Sequence, residues 1–517
     1  MISRRLRVWS PPARFLPAWH QATCSQAARL RVTHVASVVV AAGLLGALTA
    51  CTVNPATGER SFTGLMSADE ERRIGAEEHP KLVEAFGGKY DDPALQSYVT
   101  SIGRLLHSTS EMRQQPFRFV VLDSPIVNAF ALPGGYVHIS RGLMALANDE
   151  AELAGVVAHE IGHVTARHTA QRYSHGMVAG LGAALLGAVT GVREVANLGQ
   201  LAASAYIQGY SRDQEFEADQ LGVRYLGRAR YDPLAMSTFL GSMGAEHRLA
   251  LKIAGQEGVN PGASLFSSHP RTADRVARAA RDARASHAGA KARDRALYLR
   301  KIDGMVWGDS PAQGFVRGRE FDHPVLRLRF TAPPGFRLQN SAEALVGEHP
   351  NGAVMLFDGD TVERTRGSTV AYLRDQWAPG LRLDGIERLT VGGLEAATAA
   401  GRISTADGPA DVRLVAIRWA PDQVFRFLFV TPPATTARLD EDMRRAAYSF
   451  RRLSVAEAAA LKPLRIRVVE VRAGDTVDRM ARRMALDEFR LEWFQVLNGL
   501  APGAVLKPGQ LVKIVAR

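Results

Sequence analysis

One five-residue string constrains the fold of this chain more than any other, His159-Glu160-Ile161-Gly162-His163. On a helix, residues four apart lie on the same face, one turn from each other. Two imidazoles in that arrangement can both bind one Zn²⁺ at roughly 2.0–2.1 Å, and Glu160 can accept a proton from the metal-bound water. Apolar residues around the string repeat with helical spacing after the cap-forming pair Asn148-Asp149. The sequence therefore predicts a long helix that starts at this pair and carries a metal site.

A catalytic zinc site needs a third protein ligand, with the fourth position left to water. The metzincin pattern would supply a histidine at position 169 after a glycine at 166, but this chain has Ala166 and Thr169. His168 lies nine residues after His159, about 180° around an unbroken helix. We therefore expect His168 to point away from the metal, either at the surface or behind a ligand.

A second group of polar residues lies further along, in the stretch 211–219. Glu215 and Asp219 are four residues apart and present two carboxylates on one helix face. One of them can bind the metal while the other accepts the N–H of a ligand histidine and fixes its tautomer. Glu217 lies about 200° from Glu215 and is expected to face elsewhere. A solvated acidic helix start is the alternative interpretation of this stretch.

Three motifs together resemble the HtpX and CAAX-endopeptidase family of zinc metallopeptidases (peptidase family M48), in its periplasmic BepA-like branch. They are HEIGHVTARH, GYSRDQEFEAD and NAFALPGGYVHISRGLM, and the resemblance runs from about residue 54 to about residue 284. It implies a mainly helical, gluzincin-type peptidase domain with a small sheet, and an edge strand at GGYVHIS on which an extended substrate pairs. It also implies one Zn²⁺ per chain, with His159, His163 and Glu215 as ligands, Glu160 as general base and Asp219 supporting a ligand.

Three further residues are candidates for regulation or for stabilising the tetrahedral oxyanion. His269 lies in a loop that, in BepA-like relatives, can bring a histidine onto the zinc and hold the enzyme latent. His269, Tyr210 or Arg275 could instead stabilise the oxyanion. A purely structural His-Pro turn is the remaining interpretation of His269.

The N-terminus resembles the leader of a bacterial lipoprotein. Residues 35–50 are uncharged and apolar, and Leu48-Thr49-Ala50-Cys51 resembles a lipobox, which implies cleavage before Cys51 and lipidation of its sulfur. An uncut anchor helix is the alternative. The lack of an aspartate at position 52 favours the outer membrane, with the protein facing the periplasm. The sequence thus predicts a signal peptide at 1–50 and a lipidated tether at 51–66.

The remaining sequence predicts a multidomain α+β protein. The peptidase domain is expected at 67–300, an antiparallel α+β domain at 301–454, a linker at 455–466 and a small βααβ unit at 467–517. The last unit resembles a LysM domain, which implies peptidoglycan as its ligand; a degenerate module that only packs on its neighbour is the alternative. Within the peptidase domain, the uncharged residues 177–192 predict a buried helix, with a membrane-dipping hairpin or a lid as alternatives.

Charge argues against nucleic acid as a partner. The formal net charge is +12, but six arginines and no acids lie in the first 50 residues, so residues 51–517 carry +6 without a clustered patch. The expected function is a lipid-anchored zinc endopeptidase that cleaves unfolded or misassembled envelope proteins. The alternatives are an assembly factor or chaperone with a latent zinc site, tethered to peptidoglycan, and a peptidoglycan amidase or endopeptidase.

Overall fold

A computed structural model describes residues 51–63, 66–174, 209–255, 273–286, 289, 292–362, 367–405 and 408–517. The predicted leader (1–50), the uncharged segment 177–192 and His269 lie outside these residues. None of the helices in the described ranges combines the length and the apolarity that a bilayer crossing requires.

The first part of the described chain is mostly helical. Its elements, in chain order, are β1 (Cys51–Val53), β2 (Arg60–Phe62), α1 (Ala68–Ala85), α2 (Pro93–Ser108), β3 (Arg118–Leu122), β4 (Ala129–Leu132), β5 (Tyr136–Ser140), α3 (Arg141–Leu146), α4 (Glu150–Thr165), α5 (Arg212–Arg228), α6 (Leu234–Ala254), α7 (Ala273–Ala285) and α8 (Arg295–Ile302). Side chains before several helices accept hydrogen bonds from the first turn, as Ser67 Oγ does from the Glu70 N–H at 3.2 Å. We refer to residues 51–302 as the helical region.

The small sheet of the helical region differs from the expectation in one respect. The segment GGYVHIS was expected to form an edge strand, and that expectation is wrong, because β5 is central in the order β3-β5-β4. β5 pairs in parallel with β3 and antiparallel with β4, and all five of its residues are buried. A strand buried on both faces and both edges has no free backbone groups to offer a substrate. The edges of this sheet are β3 and β4.

Helix α4 carries the His-Glu-Ile-Gly-His string and is buried on all sides; only Val164 of its sixteen residues is not fully buried. Two glycines let α4 and α5 approach closely. A Cβ added at Gly162 would lie 3.1 Å from the Ala218 carbonyl oxygen, and one at Gly222 would lie 3.3 Å from the backbone nitrogen of His159. These close approaches bring the polar face of α5 next to the two histidines of α4.

The second part of the chain forms an antiparallel α+β domain, as the sequence predicts. Its elements are β6 (Val306–Trp307), β7 (Phe315–Arg317), β8 (Glu320–His323), β9 (Leu328–Thr331), β10 (Arg337–Asn340), β11 (Ala344–Glu348), β12 (Val354–Thr361), α9 (Thr369–Tyr372), β13 (Leu383–Val391), β14 (Leu394–Thr405), β15 (Gly408–Ala420), β16 (Gln423–Thr431), α10 (Pro433–Tyr448) and β17 (Arg451–Arg452). One sheet has seven strands in the order β10-β11-β12-β16-β15-β14-β13, and another has four in the order β17-β9-β8-β7. Strand β6 belongs to neither of these sheets.

After the short helix α11 (Val455–Ala460), residues 464–517 form a unit that we call the C-terminal unit. It consists of β18 (Leu464–Glu470), α12 (Val477–Ala481), α13 (Arg490–Asn498) and β19 (Leu511–Ala516), which is the predicted βααβ order. Strand β18 pairs antiparallel with both β19 and β6. The resemblance of this unit to a LysM domain stays a prediction.

Candidate metal site

His159, His163 and Glu215 converge in the interior of the helical region. The two Nε2 atoms lie 3.0 Å apart, and Glu215 oxygens lie 3.7 Å from Nε2 of His159 and 3.4 Å from Nε2 of His163. Tetrahedral zinc with bonds of roughly 2.0–2.1 Å would space its ligand atoms by about 3.3 Å. All three side chains are buried, and each offers one ligand atom within 4.8 Å of the others. Two imidazoles and one carboxylate are therefore suited to zinc, with a fourth position open.

A reciprocal cap at Ser211, the residue before α5, stabilises the start of this helix. Ser211 Oγ accepts from the Gln214 N–H, and the Gln214 side chain accepts from the Ser211 N–H, both at 3.2 Å. Asp219, one turn after Glu215, has Oδ1 2.9 Å from Nδ1 of His159. A proton on Nδ1 at that contact leaves the Nε2 lone pair directed at the metal position. Of this pair of carboxylates on α5, Glu215 thus faces the metal position and Asp219 lies behind a histidine.

Arg275 on α7 contacts both carboxylates, at oxygens that His159 also contacts. Its Nε and Nη2 donate to Asp219 at 2.7 Å each, and its Nη1 contacts Glu215. Burial opposes the ionisation of Asp219, but the charge and hydrogen bonds of Arg275 outweigh it and lower the pKa of Asp219. These contacts put Arg275 behind the carboxylates, and its predicted oxyanion role stays a prediction.

His168 does not lie where an unbroken helix would place it. Helix α4 ends at Thr165, and Arg167 adopts a left-handed φ of 55°, so the chain turns before His168. His168 is fully buried, and its Nδ1 lies 2.8 Å from Nδ1 of His163. The expectation of a surface position is therefore wrong, and the alternative, a histidine behind a ligand, is correct. Nothing in the sequence around Arg167, which has no glycine or proline, signals the break.

Two residues that the sequence did not single out as part of the site complete this side of it. Glu217 faces away from Glu215, as expected, but its Oε2 lies 3.2 Å from Nε2 of His168. Asn54, near the start of the described chain, donates from Nδ2 to the other oxygen of Glu217 at 2.8 Å. Burial raises the pKa of Glu217, but its contacts with His168 and Asn54 more than offset this and lower it. No local sequence signal indicates this contact, because Asn54 and Glu217 are 163 residues apart.

Tyr210 stacks on the ring of His163, with centroids 3.7 Å apart and planes 17° from parallel. The Arg172 guanidinium lies 4.0 Å from the Tyr210 ring centroid, and the Tyr210 hydroxyl lies 3.4 Å from Thr169 Oγ1. Burial raises the pKa of Tyr210. The stacking restrains the imidazole plane of His163, while the predicted oxyanion role of Tyr210 stays a prediction.

The last two predicted residues are Glu160 and Cys51. Glu160 is 1% exposed and follows His159 on α4, and its role as general base stays a prediction. Cys51 begins β1, where it is paired with Phe62 of β2.

Comparisons with known proteins find similarity in the same part of the chain. Residues 93–283 match the family described as Peptidase family M48. The putative beta-barrel assembly-enhancing protease of Vibrio cholerae is 34% identical over 36% of this chain and 38% of its own length. The beta-barrel assembly-enhancing protease of Escherichia coli is 31% identical over 38% of this chain and 44% of its own. Mitochondrial metalloendopeptidase OMA1 of Schizosaccharomyces pombe is 28% identical over 43% of this chain and 63% of its own.

This chain thus spans about two fifths of the length of the beta-barrel assembly-enhancing proteases that it matches. Among solved structures, cyanobacterial PsbP (CyanoP) from Synechocystis is similar over 29% of this chain and 98% of its own, at 11% identity and a TM-score of 0.21. LpqN of Mycobacterium tuberculosis is similar over 25% of this chain, at 14% identity and the same TM-score. Both TM-scores are too low to carry an argument.

Proposed function

We propose that the chain is a zinc-dependent endopeptidase and that residues 93–283, which match peptidase family M48, form its peptidase domain. The observation that carries the proposal is the buried convergence of His159, His163 and Glu215 in this domain, with Glu160 next to the first histidine. The surroundings support it, because Asp219 and His168 each lie against the Nδ1 of one histidine and leave both Nε2 atoms for a metal.

The proposed roles follow from these positions. Zinc, when bound, would lower the pKa of a water ligand and polarise the scissile carbonyl. His159, His163 and Glu215 would hold the ion, and Glu160 would accept the proton of the attacking water and return it to the leaving amine. Glu160 is buried, so bulk water competes little for that proton.

An extended substrate is proposed to pair with β4. This strand lies at an edge of the small sheet and packs against α4, which carries the two histidines. Backbone pairing with a sheet edge binds a peptide without requiring a particular sequence. That mode of binding suits a protease whose substrates share an unfolded state rather than a motif.

The decisive test is cleavage of β-casein, an unfolded protein, by the purified chain with zinc. Glu160→Gln should lower the rate by about 10²–10⁴-fold while zinc content stays at the wild-type level. Glu77→Gln, on an exposed part of α1, is the matched control and should cleave normally. A chelator should abolish cleavage by the wild type. Equal cleavage by the Glu160→Gln variant would refute the assignment.

The proposed substrates are unfolded or misassembled envelope proteins. The support is the name of the bacterial relatives, beta-barrel assembly-enhancing protease. That name also favours the second candidate, an assembly factor whose zinc site is latent. If Glu160→Gln restored envelope assembly in a cell that lacks this protein, the assembly factor would be the better description. Release of soluble fragments from purified sacculi would instead support a peptidoglycan hydrolase.

We further propose a lipid anchor at Cys51 and a peptidoglycan-binding C-terminal unit, with the protein at the outer membrane facing the periplasm. The lipobox-like string before Cys51 and the LysM-like sequence at 467–517 support these proposals. Cys51→Ala should move the protein from the membrane fraction to the soluble fraction. The soluble variant should then sediment with purified sacculi; if it stays in the supernatant, the C-terminal unit has only a packing role.

A further inference from the structure

The turn that follows β1 is built around the buried side chain of Asn54. Its Oδ1 accepts from the Ala56 N–H at 2.9 Å and from the Thr57 N–H at 3.4 Å. Its Nδ2 donates to Glu217 Oε1 at 2.8 Å. Because backbone donors occupy the carbonyl end, the amide has one orientation, and its NH₂ group must face Glu217. Asn54 lies before residue 93, the first residue of the family match.

From Glu217 the hydrogen bonds continue to a proposed zinc ligand. The second oxygen of Glu217 lies 3.2 Å from Nε2 of His168, and Nδ1 of His168 lies 2.8 Å from Nδ1 of His163. If His163 binds zinc through Nε2, its proton must lie on Nδ1 and is donated to Nδ1 of His168. The proton of His168 then lies on Nε2 and is donated to Glu217. One assignment of protons therefore satisfies every contact from Asn54 to the metal position.

We propose that Asn54, Glu217 and His168 are positioning residues that orient His163 for zinc. The proposal rests on the proposed function, since it concerns the same metal position. By this proposal, strands β1 and β2 and the turn between them are part of the zinc site rather than a spacer in front of it. A carboxylate at the end of a histidine pair also strengthens the acceptor that holds the His163 proton, and this raises the basicity of the ligand.

Other contacts fix the same N-terminal segment to the helical region. Arg224 donates from Nη1 to the Ala56 carbonyl at 3.0 Å. Arg167, the residue at which the chain turns after α4, donates to Thr63 Oγ1 at 3.2 Å and to the Met66 carbonyl at 2.8 Å. The segment is thus held after Asn54 at two places, which keeps the backbone of Asn54 beside Glu217.

The geometry allows a test in which a hydrogen bond is removed and then rebuilt with the opposite polarity. Asn54→Asp keeps the oxygen that caps the turn but replaces the donor to Glu217 by a second carboxylate. Glu217→Gln keeps an acceptor for His168 but turns an amide donor towards Asn54, which already presents a donor. The double substitution pairs the new amide with the new carboxylate, so the contact forms again and the net charge is unchanged.

Zinc affinity, measured with the purified full chain by competition with a chromophoric chelator, is the main measurement. We expect each single substitution to weaken zinc binding by about 10-fold or more, and the double to recover most of the loss. The visible absorption of the Co²⁺-loaded protein should shift in each single variant and return in the double. Thermal unfolding of the metal-free proteins is the control for folding: each single variant should unfold at a lower temperature than the double, and zinc affinity is compared only where all four proteins are folded.

Wild-type affinity in both single variants would overturn the proposal, as would a double variant that is no better than the weaker single one. The outcome is separable from that of the proposed function. A wild-type protein that binds zinc but cleaves no β-casein contradicts the peptidase proposal alone, and the zinc affinities of the four proteins still decide the role of Asn54.

Discussion

The two units that follow the helical region are attached to it in different ways. The α+β domain has two hydrophobic cores of its own, and both are built only from residues between Val316 and Phe450. The C-terminal unit has no separate core among the described residues. Its buried side chains, such as Phe494 and Val515, belong to the same cluster as Leu143 and Met144 of the helical region.

Polar contacts reinforce this difference. Lys513 of β19 is fully buried and donates from Nζ to the Ala145, Leu146 and Ala147 carbonyls, at 2.8, 3.3 and 2.6 Å, at the C-terminal end of α3. An aromatic contact adds to them: Trp307 of β6, the strand that pairs with β18, packs edge to face on Trp493 of α13, with ring centroids 5.4 Å apart. A chain can therefore append one domain as a neighbour and build another into an existing core, and sequence position alone does not tell the two apart.

The largest expected effect comes from removing each unit in turn. Deletion of residues 464–517 should leave no soluble, folded peptidase, because it exposes the shared core. Replacement of residues 315–453 by a short Gly-Ser linker should leave a folded protein that binds zinc. The two ends of that excision lie in one sheet, since Phe315 pairs with Asp322, Asp322 with Arg329 and Arg329 with Arg451, so the linker must span three strand spacings, roughly 15 Å. Solubility, circular dichroism and zinc content measure the outcome of both deletions. A folded protein without residues 464–517 would contradict the difference between the two units.

A matched pair of core substitutions tests the same difference without a deletion. Phe494→Ala and Phe427→Ala each remove a fully buried phenylalanine and should cost about 3–5 kcal/mol of unfolding free energy. Phe494→Ala should lower the unfolding transition of the helical region together with the C-terminal unit. Phe427→Ala should lower only the transition of the α+β domain. Calorimetry separates the two transitions, and a uniform shift of both by either variant would argue against separate cores.

The shared core makes the helical region and the C-terminal unit one folded body, and the α+β domain is the other. Zinc should stabilise only the body that binds it. At a free zinc concentration 1,000 times the dissociation constant, bound metal adds about 4 kcal/mol to the stability of the folded state. We expect chelation to lower the transition of the helical region and the C-terminal unit, and to leave that of the α+β domain unchanged. Glu215→Gln, which removes a proposed ligand charge, should reduce the zinc-dependent shift in the same scans.

Lys513→Met tests the polar contact between β19 and α3. It leaves three helix-end carbonyls without their donor in a site that water does not reach, and we expect a loss of about 3 kcal/mol. Burial already lowers the pKa of Lys513 well below its usual range, so part of the cost is offset by removing a buried charge. Lys507→Met, at an exposed position, is the control and should change stability by less than about 0.5 kcal/mol.

Acid should destabilise both bodies through buried histidines, and His138 and His323 are one example in each. Burial lowers the pKa of His138 to about 3 and that of His323 to about 4, from 6.5. Between these values and 6.5 the unfolded chain binds more protons, so stability is complete above pH 6.5 and falls as the pH falls. At pH 5 each body should lose about 2 kcal/mol from its histidine. His323→Asn should remove this pH dependence from the α+β transition alone; if it does not, His323 is not the cause.

The sequence predicted the parts of the site that depend on local spacing. His159, His163, Glu215 and Asp219 each lie one helical turn from a partner, and the structure brings all four together. The match of residues 93–283 to the peptidase family M48 supports the predicted resemblance, and the buried cluster of two histidines and one glutamate suits the zinc that it implies. The LysM-like identity and the lipid anchor stay predictions.

What the sequence could not predict depends on long-range packing. The position of His168 follows from a left-handed residue, Arg167, that carries no local signal. Strand β5 is central because β3 pairs with one of its edges and β4 with the other. The alternation of apolar and polar residues along a single strand does not reveal which strands pair with it. Lys513 interrupts an apolar strand in the way an exposed lysine would, and only the end of α3, 366 residues away, explains its burial.

Strand β19 lies far after every proposed zinc ligand in the sequence, and it closes the core on which α3 and α4 pack. A ribosome that has finished the first 300 residues has made every proposed zinc ligand, but the core around them is still open. Contacts that join such distant parts of a chain form late in folding. We therefore expect the proposed zinc site to be completed only after β19 has been made. Copies cut short before β19 would then lack a completed site.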